Sequence, residues 1–373
     1  MDNNFIRVLS NYNDNVSRDI NDLADQLGRG QFNIVIDQAR YPIANLREIF
    51  YDNYKLQPSY QRNRVWDKKR KSRLIESLIA NVPIPPIFLY ETDYNKYEVM
   101  DGLQRISTII EFMNDEFKVE GVESWPELNG YIYTQLPEII KNSIKRRYLS
   151  ATIILKETNH GLIIEENIKQ FIFERLNTGG MELSPQEVRN ALYSGLFNDM
   201  LIRAANYSKF QHMTNLSSKS ILRMDDRELI LRFFAYKSAY KNNIKLGTKE
   251  LLDLYAKQTR QLSTNEIEDA EDYFYTVLDT IYYLFGRRAF SKTPKSKFER
   301  MIYDTLMLSV SEIIDEHGED MLIRDEASEL GIKKFTFFAE NKSLFNGKYT
   351  AINNVIKRAE DFKSFLIEGL SFE

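Results

Sequence analysis

The sequence predicts an α+β domain followed by an all-helical domain, and two observations support that prediction. In the first half of the chain, short runs rich in β-branched and aromatic residues alternate with stretches of helical periodicity, as in a sheet covered by helices. Beyond residue 195 the strand-like runs give way to the helical spacing of apolar residues. We therefore predict an N-terminal extension at residues 1–30, an α/β domain at 31–200 and a helical domain at 201–373.

Each element of the α/β domain has a local signal. Strands are predicted at residues 33–36, 87–90, 97–100 and 150–156, and helices at 43–51, 67–80, 106–113, 165–176 and 184–195. Asp67 is the expected N-cap of the second helix, because an aspartate accepts hydrogen bonds from the free N–H groups there. Ser184 and Glu187 have capping-box spacing, with Pro185 at the first helical position.

The helical domain contains one acidic run with two interpretations. Residues 225–228 read Asp-Asp-Arg-Glu ahead of an apolar helix. Carboxylates at this density can bind metals, but Asp225 followed by Glu228 is also the capping-box spacing. We predict a helix start here, with Arg232 on the same helix as a candidate to face the α/β domain.

Composition narrows the classes of function. At 373 residues, with 43% apolar and 28% charged residues, the chain has the composition of a globular protein. The absence of cysteine excludes disulfides, thiolate catalysis and cysteine-bound zinc. The three histidines, His160, His212 and His317, do not have the spacing of metal ligands, which argues against a histidine-dependent nuclease. A net charge of −4 argues against a protein that coats DNA constitutively.

The sequence shows no membrane or export signal. No apolar run approaches the roughly 20 residues that a membrane helix needs. The polar N-terminus lacks the basic start and apolar core of a signal peptide. These features predict a cytoplasmic protein without a membrane partner.

The most informative local feature is the stretch Asp101-Gly102-Leu103-Gln104-Arg105, between a strand-like run and an apolar-periodic helix. This order would place a carboxylate, an amide and a guanidinium around the positive end of a helix, where free N–H groups favour an anion such as phosphate. The simpler alternative is a βα turn with Gly102 at positive φ, Asp101 as a cap and Arg105 in solvent.

Two further segments favour the phosphate interpretation. Residues 56–66 contain Tyr60, Gln61 and Arg62, and residues 171–187 contain Phe173 and Asn177. In this order, and together with the Asp-Gly-x-Gln-Arg turn, they resemble the ParB-like N-terminal domain of GmrSD-type restriction proteins, over residues 35–195. Each motif alone is weak, whereas the ordered set is specific.

The resemblance implies a ParB/sulfiredoxin-like fold that binds a nucleoside triphosphate, GTP favoured, and uses Mg²⁺-dependent hydrolysis as a switch. The nucleotide-binding residues that it implies are Tyr60, Gln61, Arg62, Gly102, Arg105, Phe173 and Asn177. The predicted catalytic residues are Asp101 to hold Mg²⁺, Gln104 to orient water and Arg105 to bind phosphate oxygens. For Phe173, packing in a helix core is the simpler interpretation. Leu103 replaces the first Gln of the family's turn, so hydrolysis is expected to be slowed or lost if that Gln contacts nucleotide or water.

A basic run upstream of the turn predicts a nucleic-acid contact. Residues 62–73 contain seven cations against Asp67 alone. Tyr60 lies just before this run and Trp66 lies just before its lysines, and bases can stack on such aromatic rings. The predicted DNA-contacting residues are Arg64, Lys68, Lys69, Arg70 and Lys71. The alternative is a solvated helix face. Clusters at residues 145–147 and 287–288 are weaker evidence of the same kind.

The sequence leaves three functions open. The first is a nucleotide-binding component of a bacterial modification-dependent restriction or anti-phage defence system, which acts on DNA such as modified phage DNA with a separate nuclease subunit. The second is a self-sufficient metal-dependent DNA endonuclease that uses Asp101 and neighbouring carboxylates. The third is a non-enzymatic, nucleotide-gated module that binds DNA or a protein partner. A homo-oligomer is compatible with each.

Overall fold

The computed structural model describes residues 4–10, 34–52, 54–55, 66–156, 172, 184–193, 195–322, 327–345 and 351–369. The chain divides into two compact units. One comprises Ser17–Glu182, and the other comprises Met1–Val16 with Leu183–Glu373. We refer to them as the α/β unit and the helical unit.

The α/β unit is built on one mixed sheet. Its strands are β1 (Ile36–Pro42), β2 (Tyr54–Lys55), β3 (Ile87–Asp93), β4 (Lys96–Asp101) and β5 (Tyr148–Ile154), in the order β1-β5-β3-β4-β2. The pairs β1–β5 and β3–β4 are antiparallel, and the pairs β3–β5 and β2–β4 are parallel. Strands β3 and β4, which contain the predicted strands at residues 87–90 and 97–100, form an antiparallel hairpin.

Helices make up most of the rest of the described chain. In sequence order they are α1 (Asn4–Arg7), α2 (Leu46–Asp52), α3 (Lys68–Ala80), α4 (Leu103–Met113), α5 (Glu138–Lys145), α6 (Pro185–Leu192), α7 (Leu196–Ala205), α8 (Ser208–Thr214), α9 (Ser218–Leu222), α10 (Asp225–Lys241), α11 (Thr248–Gln258), α12 (Thr264–Phe285), α13 (Arg300–His317), α14 (Ala327–Glu340) and α15 (Ile352–Gly369). The predicted α+β organisation followed by helices is therefore confirmed, while the ParB-like identity of the sheet stays a prediction.

The first strand differs from its prediction. Periodicity predicts it at residues 33–36, and it lies at Ile36–Pro42, with residues 36, 37, 38 and 40 exposed. In the described part of the chain β1 is at the edge of the sheet and pairs only with β5. An edge strand with solvated residues lacks the apolar pattern on which the prediction relies.

Helix α3 follows its prediction closely. The Asp67 side chain accepts a hydrogen bond of 2.8 Å from the backbone N–H of Arg70 and so caps the helix. Leu74, Ile75 and Leu78 on its apolar face are buried. They share one core with Ile87 and Leu89 of β3 and with Ile106 and Ile109 of α4. This core fixes the positions of β3, α3 and α4 relative to one another.

The helical unit begins earlier in the sequence than the predicted boundary near residue 200. Helix α6 starts with the predicted capping box, in which the Glu187 N–H bonds to Ser184 Oγ and the Ser184 N–H bonds to the Glu187 carboxylate. It packs on α10 and α11. Arg189 of α6 is buried and pairs with Glu228 of α10 and Asp253 of α11, which ties α6 to the helical unit.

Two predictions about α10 are wrong. Its N-cap is Met224 at φ 60°, so Asp225 is the first helical residue and does not cap. The Glu228 carboxylate accepts hydrogen bonds from Arg189 and Arg300 instead of closing a capping box. Arg232 is 3% exposed and forms an ion pair with Asp304 of α13, so it is an interior residue of the helical unit.

The same unit includes the first described residues of the chain. The ring of Phe5 lies 5.7 Å from that of Phe234 and 5.4 Å from that of Tyr273. The Tyr255 hydroxyl donates to the Phe5 carbonyl at 2.8 Å. Over the described residues, no helix has both the length and the apolarity to cross a membrane.

Candidate functional site

The candidate site is the turn between β4 and α4. β4 ends at Asp101, Gly102 is the N-cap of α4 at φ 103°, and Leu103 is the first helical residue. A Cβ atom on Gly102 would lie 2.3 Å from Ile87 Cγ2. Glycine is therefore required twice, for its left-handed backbone and for the contact with β3. The predicted strand–turn–helix and the positive φ of Gly102 are confirmed.

The positive end of α4 lies at this turn, where Gly102 is buried and the first helical residues are half-buried. The N–H groups of Arg105 and Ile106 both bond to the Gly102 carbonyl at 3.0 Å, which closes the first turn of the helix. No side chain caps this end, and the first turn carries no acidic residue. The first N–H groups of a helix have no intrahelical acceptor, and the helix dipole adds partial positive charge. An anion placed at this turn would be stabilised by both effects.

Asp101 and Arg105 form an ion pair beside this helix end. One Arg105 Nη donates to the Asp101 carboxylate, and the other donates to the carbonyl oxygens of Pro85 and Pro86. The Arg105 side chain is only 11% exposed, whereas that of Asp101 is 48% exposed. The sequence predicts an Arg105 directed at a ligand, whereas in the structure its guanidinium braces the loop before β3 against the end of β4.

Gln104 makes a second link at the turn. Its side-chain oxygen accepts a hydrogen bond of 3.0 Å from the backbone N–H of Trp66. Trp66 is half-buried, packs on the core of the α/β unit and closely follows the predicted Tyr60–Gln61–Arg62 motif in sequence. The end of that segment is thereby fixed at the turn, although the motif itself lies outside the described residues.

The structure therefore brings together some of the predicted site residues and does not describe others. Asp101, Gly102, Gln104 and Arg105 lie at one turn. Outside the described residues lie Tyr60, Gln61, Arg62, Arg64, Phe173 and Asn177. Leu103 is partly buried against the core of the α/β unit, which gives a packing reason for an apolar residue at this position.

The predicted DNA-contacting lysines of α3 are neutralised by glutamates. Lys68 pairs with Glu120 at 3.1 Å and Lys69 pairs with Glu123 at 3.2 Å, both on the surface. Lys71 is predicted to contact DNA, with a solvated helix face as the alternative, and is instead 9% exposed, with an ion pair to Glu111 of α4. This ion pair joins α3 to α4, so the assignment of Lys71 to a DNA-binding surface is corrected.

Sequence reasoning missed the acceptors of these cations. The carbonyls of Pro85 and Pro86 and the three glutamates lie far from their partners along the chain, for example 40 residues between Lys71 and Glu111 and 52 between Lys68 and Glu120. Neither periodicity nor local spacing can predict ion pairs between residues so far apart in the sequence. The only hint is the Pro-rich stretch before β3, which by itself predicts no more than the end of a helix.

The turn offers one carboxylate for a metal. Within the described residues no group of three or more His, Asp or Glu side chains has the arrangement of a metal site. One oxygen of Asp101 accepts from Arg105, so this carboxylate has a second oxygen for a ligand. Mg²⁺ commonly takes one or two carboxylates together with substrate phosphates and water, and Asp101 fits that donor set but not an all-protein cage.

Comparison with known proteins relates the segment that contains this turn to a protein family. Residues 46–194 match the family described as GmrSD restriction endonuclease, N-terminal domain. This segment is a GmrSD-type N-terminal domain. Neither the curated proteins nor the solved structures contain a significant match to the chain.

The GmrSD-type domain contains the turn, Trp66 and the basic run, and it continues through α6. Its matched segment therefore extends past the end of the α/β unit and into the helical unit. It spans less than half of the 373 residues, so the family match does not cover the helices from α7 onward.

Proposed function

We propose that this protein is the nucleotide-binding component of a GmrSD-type restriction or anti-phage defence system. It binds a nucleoside triphosphate, GTP favoured, and hydrolyses it with Mg²⁺ to control action on DNA, and a separate nuclease subunit cuts the DNA. The family match of residues 46–194 supports the class of system. The geometry of the β4–α4 turn supports the nucleotide.

The observation that carries the proposal is the uncapped N-terminus of α4 beside the Asp101–Arg105 pair. Backbone N–H groups and the helix dipole supply the phosphate site. Gly102 lets the chain turn at φ 103° in close contact with Ile87 of β3. Arg105, held by three oxygens, is pre-oriented, so that little conformational entropy is lost when its guanidinium meets a phosphate oxygen.

The other roles follow from the family resemblance and from the links at the turn. Gln104 holds Trp66 in place and would thereby position the preceding Gln61–Arg62 motif beside the phosphates. Asp101 would hold Mg²⁺ through the oxygen that Arg105 does not use. When bound, Mg²⁺ would neutralise charge on the triphosphate. Tyr60, Phe173 and Asn177 complete the proposed nucleotide contacts.

Leu103 bears on the expected rate of nucleotide hydrolysis. At the position where the family has Gln, an apolar residue packed on the core offers no hydrogen bond to water or nucleotide. We propose slow hydrolysis, so that the nucleotide-bound state persists. A higher turnover number in Leu103→Gln than in the parent protein supports this role, and equal turnover numbers show that the position does not control the rate.

The first experiment measures phosphate release and nucleotide binding by the purified full-length protein with each NTP, with and without Mg²⁺, and DNA nicking in the same reactions. Binding with Mg²⁺-dependent phosphate release and without nicking supports the proposal. Nicking by the protein alone favours the metal-dependent endonuclease. Binding without phosphate release favours the nucleotide-gated module. Calorimetry that detects no binding of any NTP refutes the proposal.

A further inference from the structure

A second basic segment lies in the helical unit, and none of the proposed roles uses it. Residues 287–297 contain five cations, Arg287, Arg288, Lys292, Lys295 and Lys297, and no acidic residue, in a chain whose net charge is −4. We call this segment the basic hairpin. Four of its cations are exposed, and Lys292 is half-buried.

The basic hairpin differs from the basic run of α3 in its electrostatic surroundings. On α3 the surface lysines Lys68 and Lys69 are paired with glutamates. By contrast, Arg287, Lys295 and Lys297 form no ion pair and no side-chain hydrogen bond with any part of the chain that the structure describes. Among the described residues their charge is therefore not cancelled by an ion pair, and it is available to an anionic partner.

The turn of the basic hairpin is rigid. Ser291 and Phe298 form an antiparallel bridge, and a turn with Pro294 at its second position closes the tip. Within that turn the N–H of Thr293 bonds to Ser296 Oγ at 2.9 Å and the N–H of Ser296 bonds to Thr293 Oγ1 at 3.1 Å. These reciprocal bonds hold the tip in one conformation, so binding would order few further residues.

The base of the hairpin is anchored to the helical unit. Lys334 of α14 donates to the carbonyls of Arg288 and Ala289 at 2.8 and 2.6 Å. Lys292 donates to the carbonyl of Phe345 at 3.1 Å. The buried Phe290 ring lies 4.9 Å from that of Tyr303 on α13. Lys334 and Lys292 thus anchor the base of the hairpin, and its other cations take no part in this anchoring.

The two arms of the hairpin meet at the Ser291–Phe298 bridge and form a narrow projection. A narrow two-armed projection of this kind fits the major groove of B-DNA, which is about 12 Å wide. The phosphates along the edges of that groove would neutralise its exposed cations.

We propose that the basic hairpin binds the phosphate backbone of duplex DNA. This inference deepens the proposed function and rests on it, since it assigns the DNA contact of that system to the helical unit. Arg287, Lys295 and Lys297 are the proposed phosphate contacts. Each contact displaces counterions, so the affinity for DNA depends on salt through these three residues.

The test compares two triple variants of the full-length protein by fluorescence anisotropy with a labelled duplex over a range of salt concentrations. The first is Arg287→Ala, Lys295→Ala, Lys297→Ala. The matched control replaces three exposed lysines elsewhere in the helical unit, Lys219→Ala, Lys245→Ala and Lys357→Ala, so both lose the same net charge. The slope of log binding constant against log salt concentration is expected to become shallower by about 0.9 for each lost contact, or about 2.7 in total for the hairpin variant. In the control variant the slope is expected to change by less than about 1.

Several outcomes overturn the inference. These are equal losses in the two variants, unchanged binding by the hairpin variant, and no DNA binding by the parent protein. Loss of binding to a poly-glutamate peptide or to phosphatidylserine vesicles, with duplex binding unchanged, also overturns it in favour of those partners. Nucleotide binding is measured on the same samples. Hairpin-dependent DNA binding without nucleotide binding supports the inference while refuting the proposed function, and the reverse result refutes only the inference.

Discussion

The guanidinium of Arg105 joins the Asp101 carboxylate to the carbonyls of Pro85 and Pro86. Arg105 is therefore both a brace within the α/β unit and the proposed phosphate ligand. A substitution at this position has two consequences that must be measured separately, because a loss of nucleotide binding can follow from either.

Arg105→Ala is expected to lower NTP affinity roughly 10-fold to 100-fold, because a charged hydrogen bond to phosphate contributes about 1.5–3 kcal/mol. It is also expected to lower the free energy of unfolding, since the carboxylate and two carbonyls lose their donor. Calorimetry and urea unfolding give the two values. Unchanged NTP affinity in folded Arg105→Ala would remove Arg105 from the nucleotide site.

Asp101→Asn is the matched variant at the other end of this ion pair. It should reduce Mg²⁺-dependent turnover more than NTP binding.

Gln104→Met is expected to destabilise the α/β unit by about 1–3 kcal/mol, because the half-buried N–H of Trp66 loses its acceptor while the side-chain volume is kept. NTP affinity should fall as well, since Trp66, which closely follows the proposed Gln61–Arg62 contacts in sequence, is no longer held at the turn. Gln104→Glu keeps an acceptor oxygen and serves as the control for the hydrogen bond. Urea unfolding checks the stability and calorimetry checks the affinity. Equal stability of Gln104→Met and the parent would show that the bond contributes little.

Gly102→Ala is expected to lower the free energy of unfolding by about 2–5 kcal/mol, because it combines a left-handed backbone with overpacking against Ile87. Gly130→Ala separates the two effects. Gly130 lies in the same unit at φ 91° with no atom within 4 Å of an added Cβ, so only the backbone term of about 1–2 kcal/mol applies. Denaturant unfolding of both variants gives the difference. Equal losses would mean that the contact with Ile87 relaxes without cost.

Lys71→Ala is expected to be more destabilising than Lys68→Ala. Lys71 is buried and its loss leaves the Glu111 carboxylate of α4 without a partner, whereas Lys68 and Glu120 are 66% and 50% exposed. Removal of one partner of a buried pair costs up to about 3–5 kcal/mol, and of a surface pair about 0–1 kcal/mol. Urea unfolding of the two single variants distinguishes these cases, and similar midpoints would argue that the Lys71 pair behaves as a surface pair.

Lys334 is expected to make stability depend on pH, since burial lowers the pKa of this lysine to about 7. An unfolded lysine has a pKa of about 10.4, so between about pH 7 and pH 10 the unfolded chain binds one more proton than the folded one. The free energy of unfolding should therefore rise with pH in this window, by about 1.4 kcal/mol per pH unit. Below that window both states are protonated and the dependence vanishes.

Lys334→Met is the variant that isolates this effect. Methionine keeps the apolar stem and does not titrate, so the slope of stability against pH from about pH 7 to pH 9 should be smaller than in the parent by that amount. Urea unfolding at closely spaced pH values supplies the slopes. Parallel stability curves for the two proteins would show that Lys334 stays protonated through its bonds to the carbonyls of Arg288 and Ala289.

The features that could be predicted from the sequence are local. The Asp67 cap, the Ser184–Glu187 capping box and the positive φ of Gly102 each depend on residues within a few positions of one another, and all three are confirmed predictions. Strands β3, β4 and β5 and helices α2, α3, α4 and α6 lie close to the positions that periodicity predicts, whereas β1 is displaced and β2 and α5 are not predicted. The predicted helix at residues 165–176 lies outside the described residues except for residue 172. The motifs at the turn could also be read from sequence, because a strand, a glycine and a helix start are contiguous.

Which cations remain available to a ligand depends on contacts between distant segments of the folded chain. Lys68, Lys69 and Lys71 look alike in sequence, yet glutamates 40 to 54 residues away pair with all three and Lys71 is buried. Arg232 and Glu228 likewise found partners 72 residues along the chain. Whether a cation faces solvent or a carboxylate depends on how distant segments pack, since Coulombic interaction acts through space and local spacing carries no record of it.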